Sequence, residues 1–281
     1  MSTYLKHHGK STEDLTCHPA MLFHSGGFIF GFKDDIGIEQ VKLLLEFGFV
    51  VVVPNYRLSP TISAVDGPLQ DCLDCYEWAR TDLAALLLSS AGVEVDAKKI
   101  TKSSHPPSAI LDIAGSKYLD DPVWTSGLLG PSLSSLPDFE QSLLDKIWAE
   151  MPPPIEVPAP YHADVIDFSK PRTAWMFNAG ARGTHYTSIV PDGDTSLIDP
   201  AKLFSGMTSY PPTCFLHGTK DTLVDVGLSK RAYQEMIRAG HEARLMLVDG
   251  VDHGFDENAK PGGPEFEKVK AALEFLKKHV E

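Results

Sequence analysis

No apolar run in the 281-residue chain approaches the roughly 18 consecutive residues of a membrane-spanning helix. No basic cluster is longer than a residue or two, and the formal net charge is −13. Such a surface repels phosphate backbones and anionic headgroups, so neither nucleic acid nor membrane is an expected partner. The first residues, MSTYLKHHGKSTED, are polar and lack the apolar core of a signal peptide, which leads us to expect a cytoplasmic protein. Cysteine is scarce, with four residues: Cys17, Cys72, Cys75 and Cys214. Cys72 and Cys75 form a C-x-x-C, but no second ligand pair accompanies them. Their surroundings, LQDCLDCYEWARTDL, have helical apolar spacing, and we read them as small helix residues in a reducing compartment. No metal-binding cluster, nucleotide-binding glycine loop or internal repeat is present in the sequence, and no cofactor is expected.

The remainder is ordinary globular material, 43% hydrophobic and 22% charged, enough to bury a full core. PAMLFHSGGFIFG reads as a strand ending in a glycine turn, and DDIGIEQVKLLLEFG as a helix stopped at Gly48. FVVVVPNYRLSP begins with a wholly apolar, β-branched run, the mark of a strand covered on both faces in a parallel sheet. Residues 68–89 have helical spacing, and SAILDIAG reads as another buried strand. PTCFLHGTKD, VGLSKRAYQEMIRAG, ARLMLVDGVDHGF and PEFEKVKAALEFLKKHV then alternate strand, helix, strand, helix. Strands alternating with helices predict an α/β fold with a mostly parallel sheet flanked by helices. Residues 118–199 break the rhythm: they are rich in Pro, Trp, Phe and Leu and too long for a loop. We expect them to form a cap or lid inserted into a single domain spanning 1–281, with helical spacing over 138–151 stopped by Pro152, Pro153 and Pro154.

Three strand exits carry candidate chemistry. In FHSGGFIFG, Gly26 and Gly27 free backbone N–H groups to converge on a developing oxyanion. In HGTKDTLVD and VDGVDHGFD, Asp221 and His253 each follow an apolar strand. In a parallel sheet such exits share the carboxyl edge, where ligands bind. A carboxylate accepting from one imidazole nitrogen fixes the tautomer and leaves the other nitrogen as a base. The two residues are 32 apart in sequence, room for one helix and one strand. Most of the eleven histidines are expected to be surface or satisfied core residues.

The ordered motifs HSGGF, NYRLSP, HGTKD and DHGF resemble those of the α/β-hydrolase superfamily, and within it the hormone-sensitive-lipase-like (fold-3) esterases and lipases. That group's HGGGF stands here as His24-Ser25-Gly26-Gly27-Phe28, and its YRLAP as Tyr56-Arg57-Leu58-Ser59-Pro60. The resemblance runs from about Pro19 to the carboxyl terminus. It implies an α/β-hydrolase fold, Gly26 and Gly27 as the oxyanion hole, and Asp221 and His253 as two members of a Ser-His-Asp triad. Asp225 is the second candidate for the acid, and Asp252 is expected to point elsewhere.

The third member is absent. The family places a strand, a G-x-S-x-G elbow and a helix after the position of Ile100. Here a short polar stretch joins that position directly to SAILDIAG, and no G-x-S-x-G or G-x-C-x-G occurs anywhere. About 20 residues are lacking, a central strand and the elbow helix among them, and the amino end is short against the same pattern. Ser25, Ser103, Ser104 and Ser108 lack the strand–turn–helix setting of a nucleophile. Either the neighbouring strands close up or residues 97–104 fill the slot. Three readings follow. The chain is a carboxylic-ester hydrolase whose sequence has lost a segment, for example through a mis-spliced gene model. It is a non-catalytic relative, a pseudoenzyme that binds a small ligand under its cap. Or water or another residue replaces the serine. The expected partner is a small apolar or aromatic ester, suggested by the composition of the cap.

Overall fold

A computed structural model describes residues 2–4, 18–91, 106–126, 136–160, 166–204 and 206–280. Six strands run in chain order: β1 (Ser2–Tyr4), β2 (His18–Met21), β3 (Phe49–Val53), β4 (Ile110–Ile113), β5 (Thr213–Gly218) and β6 (Ala243–Val248). They form two three-stranded sheets, ordered β1-β3-β2 and β4-β5-β6. All pairings are parallel except β1 with β3. The mostly parallel α/β architecture expected from the sequence is therefore present, in two halves.

The division falls where the sequence is short. β2 and β4 end their respective sheets, and no ladder joins them among the described residues. β3 and β5 are buried along their whole length, whereas every residue of β4 is half-buried. The expectation of a buried strand at SAILDIAG is thus corrected: among the described residues its apolar side chains have a strand neighbour on one side only. The neighbours have not closed up, and residues 97–104, the other expected filler, lie outside the described residues. The two sheets nevertheless share one apolar core. Ala20, Val51 and Val53 from one pack with Cys214, Leu216 and Met246 from the other, beneath helices α1 (Ile38–Glu46) and α9 (Pro264–Lys278).

The helical stretch at 68–89 divides into α2 (Gln70–Thr81) and α3 (Leu83–Ala91), with Asp82 ending the first. Cys72 and Cys75 lie on α2, and burial pushes the Cys72 thiol up to about 12. Residues 118–199 hold α4 (Pro122–Thr125), α5 (Gln141–Leu144) and α6 (Pro171–Ala181). The helix expected over 138–151 is shorter than its spacing suggests. Its chain is extended at Glu140, makes one α turn, then tightens to a 3-10 helix at Asp145–Ala149. It meets the prolines with Glu150 extended, as the approach to a proline run favours. The two ends of the 118–199 stretch are tied together. The buried Asp199 carboxylate accepts from the Tyr118 and Leu119 amides, each at 2.9 Å. Helices α7 (Ala201–Phe204) and α8 (Val226–Arg238) complete the chain order. The described residues contain no helix long and apolar enough to cross a membrane.

Candidate active site

The exits of β5 and β6 are laced together before either side chain is considered. Lys220 donates its amide to the Val251 carbonyl at 3.0 Å, and Thr219 donates to Val248 at 2.9 Å. The Thr219 hydroxyl bonds Asp249, and Thr222 bonds Asp252 through amide and hydroxyl. Gly218 permits this approach: a Cβ there would lie 2.5 Å from the Val251 carbonyl oxygen. Two residues 32 positions apart in sequence thereby meet. His253 Nδ1 lies 2.9 Å from Asp221 Oδ2.

Asp221 is fully buried and acts only as an acceptor. Its Oδ1 takes the Leu223 and Val224 amides at 2.9 and 2.7 Å. Its Oδ2 takes His253 Nδ1 and lies 3.0 Å from His217 Nε2, whose hydrogen bond goes to the Val224 carbonyl. Burial alone would raise this carboxyl, but the bonds from His217, His253 and Val224 outweigh it and hold it well below the usual carboxylate range. For His253 burial works downward, and the Asp221 ion pair, helped by Asp256 and Glu257, overcomes it and raises the imidazole. With Nδ1 committed to Asp221, His253 Nε2 carries the lone pair and has no partner among the described residues. The other acidic candidates are used elsewhere. Asp225 caps α8 by accepting from Gly227 at 2.6 Å, and Asp252 accepts from Thr222 and from the His253 amide.

The glycine turn after β2 is held at its carbonyls. His24 Nδ1 donates to Ser25 O at 2.9 Å, Ile29 and Phe30 donate to Gly26 O, and His185 Nε2 donates to Gly27 O at 2.9 Å. A peptide plane is rigid and its N–H points opposite its C=O. Pinning those three carbonyls therefore aims the N–H groups of Gly26, Gly27 and Phe28, none of which has a partner among the described residues. The backbone there is left-handed at all three, with φ of 107°, 60° and, at the non-glycine Phe28, 67°. A Cβ at Gly26 would meet the Phe30 carbonyl oxygen at 2.3 Å, so only glycine fits. Such a turn can hold an oxyanion on backbone amides. From the 118–199 stretch, Arg172 ties this loop to the segment after β3, donating to Ile29 O at 2.8 Å and to Ser59 O. Burial lowers the His185 imidazole to about 4, which keeps it neutral. On the other side of the turn, Gln40 on α1 donates to Asp256 at 2.7 Å, joining the first half of the fold to the His253 loop.

The sequence reading overlooked three of these residues. His217 and His185 were grouped with bland histidines. Both are satisfied core residues, but what satisfies them is the acid and the glycine turn. For His217 a signal existed, since it sits at a strand exit four residues before Asp221. His185 and Arg172 lie in a stretch whose contacts no spacing rule predicts.

No family model matches the chain. Among solved structures it is similar to an alpha/beta hydrolase superfamily protein from Enterococcus faecalis, at 17% identity and a TM-score of 0.61, covering 98% of this chain and 94% of that one. A protein of unknown function from Staphylococcus aureus matches at 14% identity and a TM-score of 0.66, covering 100% and 94%. Carboxyl esterase 2 from the fungus Tuber melanosporum matches at 14% identity and a TM-score of 0.54, covering 95% and 80%. These likenesses define the fold: the chain has the α/β-hydrolase fold. Among curated proteins it is similar to the non-reducing polyketide synthases adrD of Penicillium rubens, at 28% identity, and ausA of Aspergillus calidoustus, at 29%. Each match covers 93% of this chain, but the chain spans only about an eighth of either synthase. The adrD match extends over 313 positions against a chain of 281 residues, so the synthase carries residues with no counterpart here.

Proposed function

We propose that the chain carries the acid, the base and the oxyanion amides of an acyl-transfer site of the Ser-His-Asp type, related to carboxylic-ester hydrolases, without the segment that bears the nucleophile. The observation that carries this reading is the 2.9 Å bond from His253 Nδ1 to the buried Asp221, which leaves Nε2 as the free base. In a complete site that nitrogen takes the serine proton as the hydroxyl attacks an acyl carbon. The imidazolium formed is stabilised by Asp221, and the oxyanion by the amides of the glycine turn. Residues 118–199 serve as the cap over the acyl group. The motif order HSGGF, NYRLSP, HGTKD, DHGF supports placing the site in the hormone-sensitive-lipase-like group.

The similarity to polyketide synthases refines the substrate. A synthase of that name assembles acyl chains, and the step suited to an α/β-hydrolase site is transfer of an acyl group from an ester or thioester to water or to a hydroxyl of the same chain. The substrate class is therefore an acyl ester or thioester with a large apolar or aromatic acyl part. Without a serine, His253 has no hydroxyl to activate, and only a residual catalysis of about 10³–10⁴ over water remains to binding and oxyanion stabilisation. The test is to offer the purified chain a short-chain nitrophenyl ester and a fluorophosphonate probe. The expected result is slow turnover with no covalent label. Fast turnover with labelling would place a nucleophile in this chain and overturn the reading.

A further inference from the structure

A buried polar chain runs inward from Asp221, and its direction can be worked out from which atoms are able to donate. Lys117 is fully buried after β4. Its Nζ pairs with Asp112 at 3.2 Å, bonds the Gly115 carbonyl and reaches Ser229 Oγ at 3.1 Å. An ammonium only donates, so Ser229 Oγ accepts from Lys117. The Ser229 hydroxyl proton is then directed to its other neighbour, His217 Nδ1, at 2.8 Å. That nitrogen is therefore the bare one, and the His217 proton sits on Nε2. Nε2 indeed faces only acceptors, the Val224 carbonyl and Asp221 Oδ2, both at 3.0 Å. Ser229 and His217 are both wholly buried, so no water competes for these bonds.

We infer that His217 is a positioning residue for the candidate acid: locked as its Nε2–H tautomer by the Lys117–Ser229 pair, it shares Asp221 Oδ2 with His253 and restrains the acid's pull on the base. The inference rests on the acid–base reading of the Asp221–His253 pair. Two imidazole donors on one carboxylate oxygen divide its negative charge between them. Removing the inner donor leaves the whole of that oxygen to His253 and strengthens the imidazolium. The other charges facing His253 are Asp252, which accepts its amide, and Asp256 and Glu257 on the loop that follows. The strand that anchors this chain, β4, also borders the divided sheet, which links the missing strand's neighbour to the base.

The test is nuclear magnetic resonance of the imidazole nitrogens in the full chain and two variants. In the unmodified chain His217 is expected to carry its proton on Nε2. A doubly protonated or Nδ1–H His217 would overturn the inference without any variant having to fold. His217→Gln places an amide nitrogen near the Nε2 position and should keep the His253 midpoint. His217→Asn reaches only the Nδ1 position and should shift that midpoint upward. Equal midpoints in the two variants would remove the role assigned to His217. A His253 midpoint at or below that of an ordinary histidine in the unmodified chain would instead remove the acid–base reading beneath it.

Discussion

At Asp221 one buried carboxylate takes two amides and the His253 imidazole, with His217 Nε2 3.0 Å away, and the pH response follows from that arrangement. The folded carboxyl titrates below its unfolded value, so its stabilisation is present above about pH 4 and lost as the pH falls. The folded His253 titrates above its unfolded value, so its stabilisation is complete below about pH 6.5 and lost as the pH rises through the folded value. The pair contributes most between those limits. Replacing His253 by Gln should cost about 1.5–3 kcal/mol in that window, the range for a hydrogen bond to a charged group. Melting temperatures of the two proteins should draw together from pH 6.5 to 9. A gap that stays constant with pH would mean that His253 and Asp221 do not interact as an ion pair.

Among the elements, β2 and β4 differ from their neighbours because, among the described residues, each has a ladder on one side only. Hydrogen exchange should rank the strands accordingly. Amides of β3 and β5 should exchange slowest, and those on the outer edges of β2 and β4 much faster, although both are interior strands in the α/β-hydrolase pattern. Equal protection of all four would mean that the slot between β2 and β4 is filled. Strand β1, in a polar stretch, was not legible in the sequence, but strands β2 to β6, the long helices α1, α8 and α9, and the strand exits bearing Asp221 and His253 were. Apolar periodicity and glycine stops encode them locally. The half-buried state of β4 was not legible, because burial depends on a neighbour, and SAILDIAG reads the same with or without one. Nor were Lys117 and His185: their roles come from contacts across 112 and 158 positions of sequence, which no local pattern records. The absence of the elbow was legible because a motif was available to compare.

For the whole molecule, two half-sheets share a core and carry the bonded Asp221–His253 pair and the glycine turn, yet the chain has no G-x-S-x-G. The similar synthase adrD matches over more positions than this chain has residues. We propose that the remaining site is intact and lacks only its nucleophile-bearing segment. The most direct test is to insert, after Ile100, the strand, G-x-S-x-G elbow and helix from the matching region of a synthase relative, and to measure ester hydrolysis and fluorophosphonate labelling. The account predicts a more stable protein that labels at the new serine and turns over ester. That activity should be abolished by His253→Ala, lowered by about 10⁴ by Asp221→Asn, and little changed by Asp225→Asn. A folded insertion variant that neither labels nor turns over ester would contradict it.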